Sequence, residues 1–107
     1  MDNMHDEFLN HGNNPLLLII NDVVEELERA VDKFPEYPTD PLHALSILGE
    51  EYGELNKSVL QYTYEPQKTS KEEIRSEAIQ TAAMAIRFLI SLEDFDYKKS
   101  QQHKQEL

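Results

Sequence analysis

Three helix-start signals determine what this chain can fold into. Asn14 and Asp40 are each followed by proline, and Ser70 is followed three residues later by Glu73, which is the pattern of a capping box. A side-chain oxygen at such a cap accepts a hydrogen bond from a backbone N–H that the helix leaves unpaired. Proline fits the first helical turn because its missing N–H is not needed there. These signals predict helices that begin near residues 15, 41 and 71.

Apolar residues recur at helical spacing behind each start signal. The spacing predicts helices over 15–34, 41–62 and 71–92, with proline-rich and polar connectors between them. Strands are not expected, because no alternating run of β-branched residues is present. The sequence therefore predicts an all-α bundle of three main helices over residues 15–92. A flexible segment, 1–14, precedes this domain, and a polar tail, 93–107, follows it.

The first helix is apolar on more than one side. The run from Leu16 to Ile20 covers the whole circumference of a helical turn. At 107 residues and 12.5 kDa, the chain has little other surface with which to cover both sides. We therefore expect a homo-oligomer, a dimer or a tetramer, in which this helix contributes much of the interface.

Composition excludes several classes of function. The formal net charge of −11, from 21 acidic and 10 basic residues, argues against binding to nucleic acid or to an anionic membrane. Without cysteine there is neither a disulfide nor a thiolate metal site. The longest apolar run is too short to cross a bilayer, and the N-terminal residues lack the basic and apolar regions of a signal peptide. These features predict a cytoplasmic protein.

Two clusters of glutamates lie on the second and third predicted helices. Glu50, Glu51 and Glu54 form one cluster, and Glu73 and Glu77 form the other. Like charges one helical turn apart repel by roughly 0.2–0.5 kcal/mol per pair, so a shared face of this kind suggests a bound cation. Antiparallel neighbouring helices can supply carboxylates to Mg²⁺ from opposite sides. A glutamate considered alone is more typical of a solvated helical face.

The spacing of these glutamates resembles a known family signature. Glu51-x-x-Glu54, followed by 22 residues and Glu77-x-x-Gln80, is similar to the ExxE…ExxD motif of the MazG-like all-α nucleoside triphosphate pyrophosphohydrolases. The segments DPLHALSILGEEYGELNKSVLQ and EEIRSEAIQTAAMAIRFL resemble that family's two motif helices, so the resemblance spans residues 41–89. It implies four-helix-type cores formed by oligomerisation, and dependence on Mg²⁺ or Mn²⁺.

The resemblance also implies roles for individual residues. Glu51, Glu54 and Glu77 match the metal-binding and catalytic carboxylates of the motif. Gln80 stands where the motif has Asp, and its side chain offers a neutral carbonyl oxygen to a metal instead of a charged one. Glu50 and Glu73 lie on the same helical faces and are further ligand candidates.

Three residues outside the motif could contact a nucleotide. Lys57 and Arg87 lie on the helical faces that carry the glutamates and are candidates for binding phosphate oxygens. His43 lies seven residues before Glu50 and is a candidate for contacting the nucleotide. Each has an ordinary structural alternative: a surface ion pair for the two cations and helix packing for the histidine.

The function implied by the resemblance is hydrolysis of a nucleoside triphosphate to the monophosphate and pyrophosphate. A carboxylate such as Glu51 or Glu54 would orient the attacking water. The alternative is a non-catalytic MazG-like module that binds an ion, a nucleotide or a protein without turnover. Gln80 favours the alternative, whereas the retained Glu51, Glu54 and Glu77 favour the enzyme.

Overall fold

The chain is all-α in a computed structural model that describes residues 14–96. Three helices, α1 (Pro15–Lys33), α2 (Pro41–Tyr64) and α3 (Lys71–Ser91), are accompanied by short 3₁₀ turns at Pro66–Lys68 and Leu92–Asp94. Residues 14–96 contain no strand, which confirms the predicted fold class. Most of the predicted N-terminal segment and residues 97–107 of the predicted tail lie outside the described residues.

The three helices begin at the predicted caps. The side chain of Asn14 accepts a hydrogen bond from the amide of Leu16 at 2.7 Å, and Asp40 caps α2 in the same way at 2.9 Å. The hydroxyl of Ser70 accepts from the amide of Glu73 at 3.1 Å, which is one half of the predicted capping box. Because these bonds are local, the start positions follow from a few consecutive residues.

The folded part of the chain extends beyond the predicted boundary at residue 92. Phe95 is buried, and its ring meets that of Phe88 edge to face, with 5.0 Å between the ring centroids. The amide of Asp96 donates a hydrogen bond to the carbonyl of Thr39 at 2.6 Å. Residues 93–96, predicted to begin the polar tail, therefore attach the end of α3 to the connector that precedes α2.

Helix α3 packs against both α1 and α2. Glu54 lies near Glu77, whereas Glu51, one turn earlier on α2, shares a cavity with Met84, two turns farther along α3. Later residues of α3 therefore face earlier residues of α2. The two helices run antiparallel, as predicted.

Helices α1 and α3 run parallel. An ion pair of 2.6 Å joins Asp22 of α1 to Arg75, and the carbonyl of Ala30, two turns later on α1, accepts a hydrogen bond from Arg87. The three helices therefore form an up-down-up arrangement in which the N-terminal ends of α1 and α3 lie on the same side.

The core of the single chain is small. Among residues 14–96 the buried apolar side chains are Val23, Ala44, Ala83 and Phe95. Large apolar side chains on all three helices remain in contact with solvent, and examples are Leu18 (48% exposed), Leu42 (69%) and Ile90 (67%). None of the helices in this part of the chain is long and apolar enough to cross a membrane.

We expect the exposed side of α1 to mediate self-association. Ile19→Asp introduces a charge on this apolar surface, and light scattering should show a smaller assembly than the wild type at the same micromolar concentration. Asn21→Asp adds the same charge at an exposed polar position of the same helix and should leave the assembly unchanged. A wild-type protein that scatters as a monomer would contradict the expectation.

Candidate functional site

Glu51 of α2 lies at the centre of the acidic cluster. Its side chain is partly buried, and the pKa of its carboxyl is raised above the ordinary value of 4.5, first by desolvation and then by repulsion from Glu77 and other glutamates. Glu50 and Glu54, on the same helix, contribute to this repulsion. Glu77 of α3 is therefore close enough to Glu51 of α2 to repel it.

Glu77 of α3 is the second perturbed carboxylate. Desolvation is the largest cause of its raised pKa, followed by repulsion from Glu54 across the helix pair and from Glu73 one turn earlier. Its backbone carbonyl accepts a hydrogen bond from the hydroxyl of Thr81 at 2.8 Å. Thus the five glutamates identified from the sequence interact within one electrostatic cluster.

Helix α1 adds a carboxylate that the sequence analysis missed. Glu26 repels Glu51, and its own carboxylate forms an ion pair with the exposed Arg29. Glu26 lies one turn after the buried Val23 and one turn before Ala30, so it falls on the helix face that packs inward. A carboxylate on an apolar stripe is the same signal that identified Glu77, and it was available in the sequence.

A cavity of about 420 Å³ lies beside the acidic cluster. Glu50 and Glu51 line one side, and the connector between α1 and α2 lines another with the aromatic rings of Phe34 and Tyr37. The cavity thus places apolar and aromatic groups next to carboxylates, which is a common composition for a small-molecule site. The remaining lining residues are Ala30, Glu36, Pro38, Ile47, Met84 and Arg87.

The side chain of Arg87 does not extend into solvent from the face of α3 that carries Glu77. Its guanidinium is buried, with 6% of the residue exposed, and donates hydrogen bonds to the carbonyls of Ala30, at 3.3 Å, and Phe34. The same group lies over the ring of Tyr37, 5.0 Å from its centroid. Two N–H groups of Arg87, which was predicted to bind phosphate, therefore point to the end of α1.

The other predicted contacts lie at the surface or at the edge of the cluster. Lys57 and His43 are both exposed on α2, and neither lines the cavity. The amide of Gln80 donates a hydrogen bond to the hydroxyl of Ser76 at 3.3 Å, which leaves the carbonyl oxygen of Gln80 as its potential metal ligand.

The chemistry of the cluster suits a hard divalent cation, although its ligands are not preassembled. Within residues 14–96, no group of three or more His, Cys, Asp or Glu side chains is placed to hold a metal ion. Mg²⁺ usually takes one or two protein carboxylates together with water and substrate phosphates. Glu51 and Glu77, whose pKa values are raised first by desolvation and then by repulsion from neighbouring glutamates, are candidate carboxylates for such an ion.

No comparison with known proteins identifies the family of this chain, so its resemblance to the MazG-like family remains a prediction. A scan against protein-family models, a search of curated proteins and a search of solved structures each returned no match to this chain. The function is therefore argued from the residues of the cluster and the cavity.

The raised pKa values predict how stability depends on pH without metal. A carboxyl whose pKa is higher in the folded state favours folding when protonated, and that contribution is lost as pH rises from 4.5 through the raised value. Glu77→Gln should therefore gain stability relative to wild type over this range, by about 0.2–0.5 kcal/mol for each like-charged pair removed. Chemical denaturation across the pH range measures the difference.

Glu28→Gln is the matched control for this measurement, because Glu28 is exposed on α1. Its stability difference from wild type should change less with pH than that of Glu77→Gln. If the two variants show the same pH dependence, the repulsion within the cluster has no measurable effect on folding.

Proposed function

We propose that the chain is a Mg²⁺-dependent nucleotide pyrophosphohydrolase that cleaves a nucleoside triphosphate to the monophosphate and pyrophosphate. The observation that carries the proposal is the convergence of glutamates from three helices, centred on Glu51 and Glu77, beside a cavity with aromatic walls. The similarity of Glu51-x-x-Glu54 and Glu77-x-x-Gln80 to the MazG-like motif supports the same reaction.

The carboxylates would both hold the ion and prepare the attacking water. Glu51, Glu54 and Glu77 are the proposed ligands, with Glu50, Glu73 and the carbonyl oxygen of Gln80 as additional donors. Mg²⁺, or Mn²⁺, would supply Lewis-acid stabilisation of negative charge on the phosphate oxygens. A carboxylate of Glu51 or Glu54 that is not occupied by the ion would orient water toward phosphorus.

The cavity would accommodate the nucleoside. Phe34 and Tyr37 line the cavity and are the candidates for packing against a planar base, each on the ring face that Lys33 or Arg87 does not cover. Glu50 and Glu51 lie at the side where phosphates would approach the ion. Lys57, exposed one turn beyond Glu54, is the proposed cationic contact for phosphate. His43 lies seven residues before Glu50 on α2 and would contact the nucleotide only from the rim of the cavity.

We further propose that the active form is a homo-oligomer, a dimer or tetramer with four-helix-type cores. The exposed face of α2 supports this proposal, because it carries Leu45 and Tyr52, which are 53% and 60% exposed. On the same helix, a Cβ added at Gly49 or Gly53 would meet no other atom within 4 Å, so another helix could approach closely there.

A non-catalytic module is the second candidate, and two observations favour it. Gln80 replaces the acidic residue of the motif, and residues 14–96 hold no preassembled group of three metal-ligating side chains. In this case the acidic cluster would bind an ion, a nucleotide or a protein partner without turnover.

A screen of nucleoside triphosphates with Mg²⁺ distinguishes the two candidates. The enzyme should release a monophosphate and pyrophosphate from at least one nucleotide, and chelation of the metal should abolish the reaction. Glu54→Gln should reduce turnover sharply, whereas Glu28→Gln, on the exposed side of α1, should not. Binding of a nucleotide without any turnover would instead support the non-catalytic module.

Stabilisation by Mg²⁺ tests the ligand assignment without requiring catalysis. The ion should raise the melting temperature of the wild type, and Glu54→Gln should reduce that rise because it removes a charged ligand. Gln80→Asp should increase the rise by restoring the fourth carboxylate of the motif. If the effect of Mg²⁺ is the same in both variants and the wild type, these side chains form a solvated face and not a metal site.

A further inference from the structure

Arg87 is a buried cation whose observed partners are backbone carbonyls. Within residues 14–96 no carboxylate forms an ion pair with it. Its hydrogen bonds go to Ala30, in the last turn of α1, and to Phe34, which caps that helix. The carbonyl of Ala30 also accepts a hydrogen bond from the amide of Phe34 at 2.8 Å, so the guanidinium is a second donor to it. Both carbonyls lie at the C-terminal end of α1, where the negative end of the helix dipole favours a cation.

Tyr37 extends this contact to α2. Its ring lies under the guanidinium of Arg87, and its hydroxyl donates a hydrogen bond to the carbonyl of Ala44 at 3.2 Å. The connector, residues 34–40, is therefore attached to α3 through Arg87 and to α2 through Tyr37. Its far end is held by the hydrogen bond from the amide of Asp96 to Thr39.

The Arg87–Tyr37 pair separates two cavities. The cavity beside the acidic cluster and a second cavity of about 340 Å³ share Tyr37, Pro38 and Arg87 in their linings. Leu27 and Ile90 also line the second cavity. Movement of the Arg87–Tyr37 pair would therefore change the shape of the cavity that borders Glu50 and Glu51.

We propose that Arg87 is a positioning residue that fixes the connector as a wall of the nucleotide cavity and does not bind phosphate. This inference rests on the proposed function for the identity of the ligand, and it replaces the phosphate-binding role predicted for Arg87 from the sequence. The role depends on the shape of the guanidinium, because two carbonyls and an aromatic face are contacted at once.

Arg87→Lys separates the two roles. A lysine keeps the positive charge and is an effective phosphate ligand, but a single ammonium cannot reproduce the planar fork and the stacking on Tyr37. A phosphate-binding role would thus survive the substitution largely intact, whereas the positioning role would not. Arg75→Lys is the matched control, since Arg75 lies on the same helix in an exposed ion pair with Asp22.

The first test measures how well the connector is held and requires no catalysis. A glutamate-specific protease cuts after Glu36, and the rate of this cut is followed by mass spectrometry in the full-length protein. Arg87→Lys should accelerate it by about tenfold or more, in line with the loss of one charge-assisted hydrogen bond, while Arg75→Lys should match wild type. Equal protection in Arg87→Lys and wild type would overturn the proposal.

Tyr37→Phe provides a second variant that is less disruptive. It keeps the ring under Arg87 and removes the hydrogen bond to Ala44, so the cut after Glu36 should accelerate by a smaller factor than in Arg87→Lys. No acceleration in Tyr37→Phe, together with none in Arg87→Lys, would show that the connector is held by other contacts.

The second test uses the nucleotide identified by the screen and inorganic pyrophosphate. Positioning predicts that Arg87→Lys raises KM by about tenfold with a smaller effect on kcat, and leaves inhibition by pyrophosphate unchanged. Weaker inhibition by pyrophosphate with an unchanged rate of cutting after Glu36 would assign Arg87 to phosphate and overturn the proposal. If the wild type turns over no nucleotide, the proposed function fails, and the protease measurement alone decides whether Arg87 fixes the connector.

Discussion

The position of α3 between its neighbours determines the rest of this structure. Because α1 and α2 both pack on α3, their glutamates are brought toward one another without an extensive direct interface between those two helices. Glu26 of α1 and Glu51 of α2 are both partly buried, and Glu26 repels Glu51. The acidic cluster is therefore a consequence of how the helices are arranged around α3, and it requires all three of them.

This arrangement keeps like charges together and keeps the nearest buried cation occupied elsewhere. Arg87 lines the same cavity as Glu50 and Glu51, but two of its N–H groups are engaged by the end of α1. The negative charge of the cluster is consequently left to be balanced by something other than this guanidinium. Under the proposed function, the cation that balances the cluster is Mg²⁺, while Arg87 fixes the connector.

Local signals were sufficient to predict the helices, whereas the site depended on contacts that local signals do not contain. Asn14, Asp40 and Ser70 cap the helices through bonds to residues two or three positions away, so their effect can be read from consecutive residues. The antiparallel pairing of α2 and α3 followed from the short loop between them. These features predict that the glutamates of α2 and α3 lie near one another, and Glu51 and Glu77 do repel each other in the fold.

The contacts that the sequence did not predict lie where distant segments meet. Helical spacing correctly placed Arg87 on the stripe of Glu77, but it could not indicate that the end of α1 would lie against that stripe. Glu26 was missed although its place on the apolar stripe of α1 could be read from the sequence, but its proximity to Glu51 depends on how α1 packs on α3. The wall that Tyr37 contributes to the cavity likewise depends on where the connector crosses α3.

The parallel course of α1 and α3 has a consequence for the order of folding. The α2–α3 hairpin closes over a short loop, whereas the contacts of α1 with Arg75 and Arg87 join residues 53 to 57 positions apart and require a much larger loop to close. We therefore expect the hairpin to form first and α1 to dock afterwards. Pulse-labelling hydrogen exchange should then protect the amides of α2 and α3 before those of α1, and earlier protection of α1 would contradict this order. Until α1 docks, Glu51 and Glu77 would face each other without Glu26 or the connector, so the complete cavity would be the last part of the molecule to form.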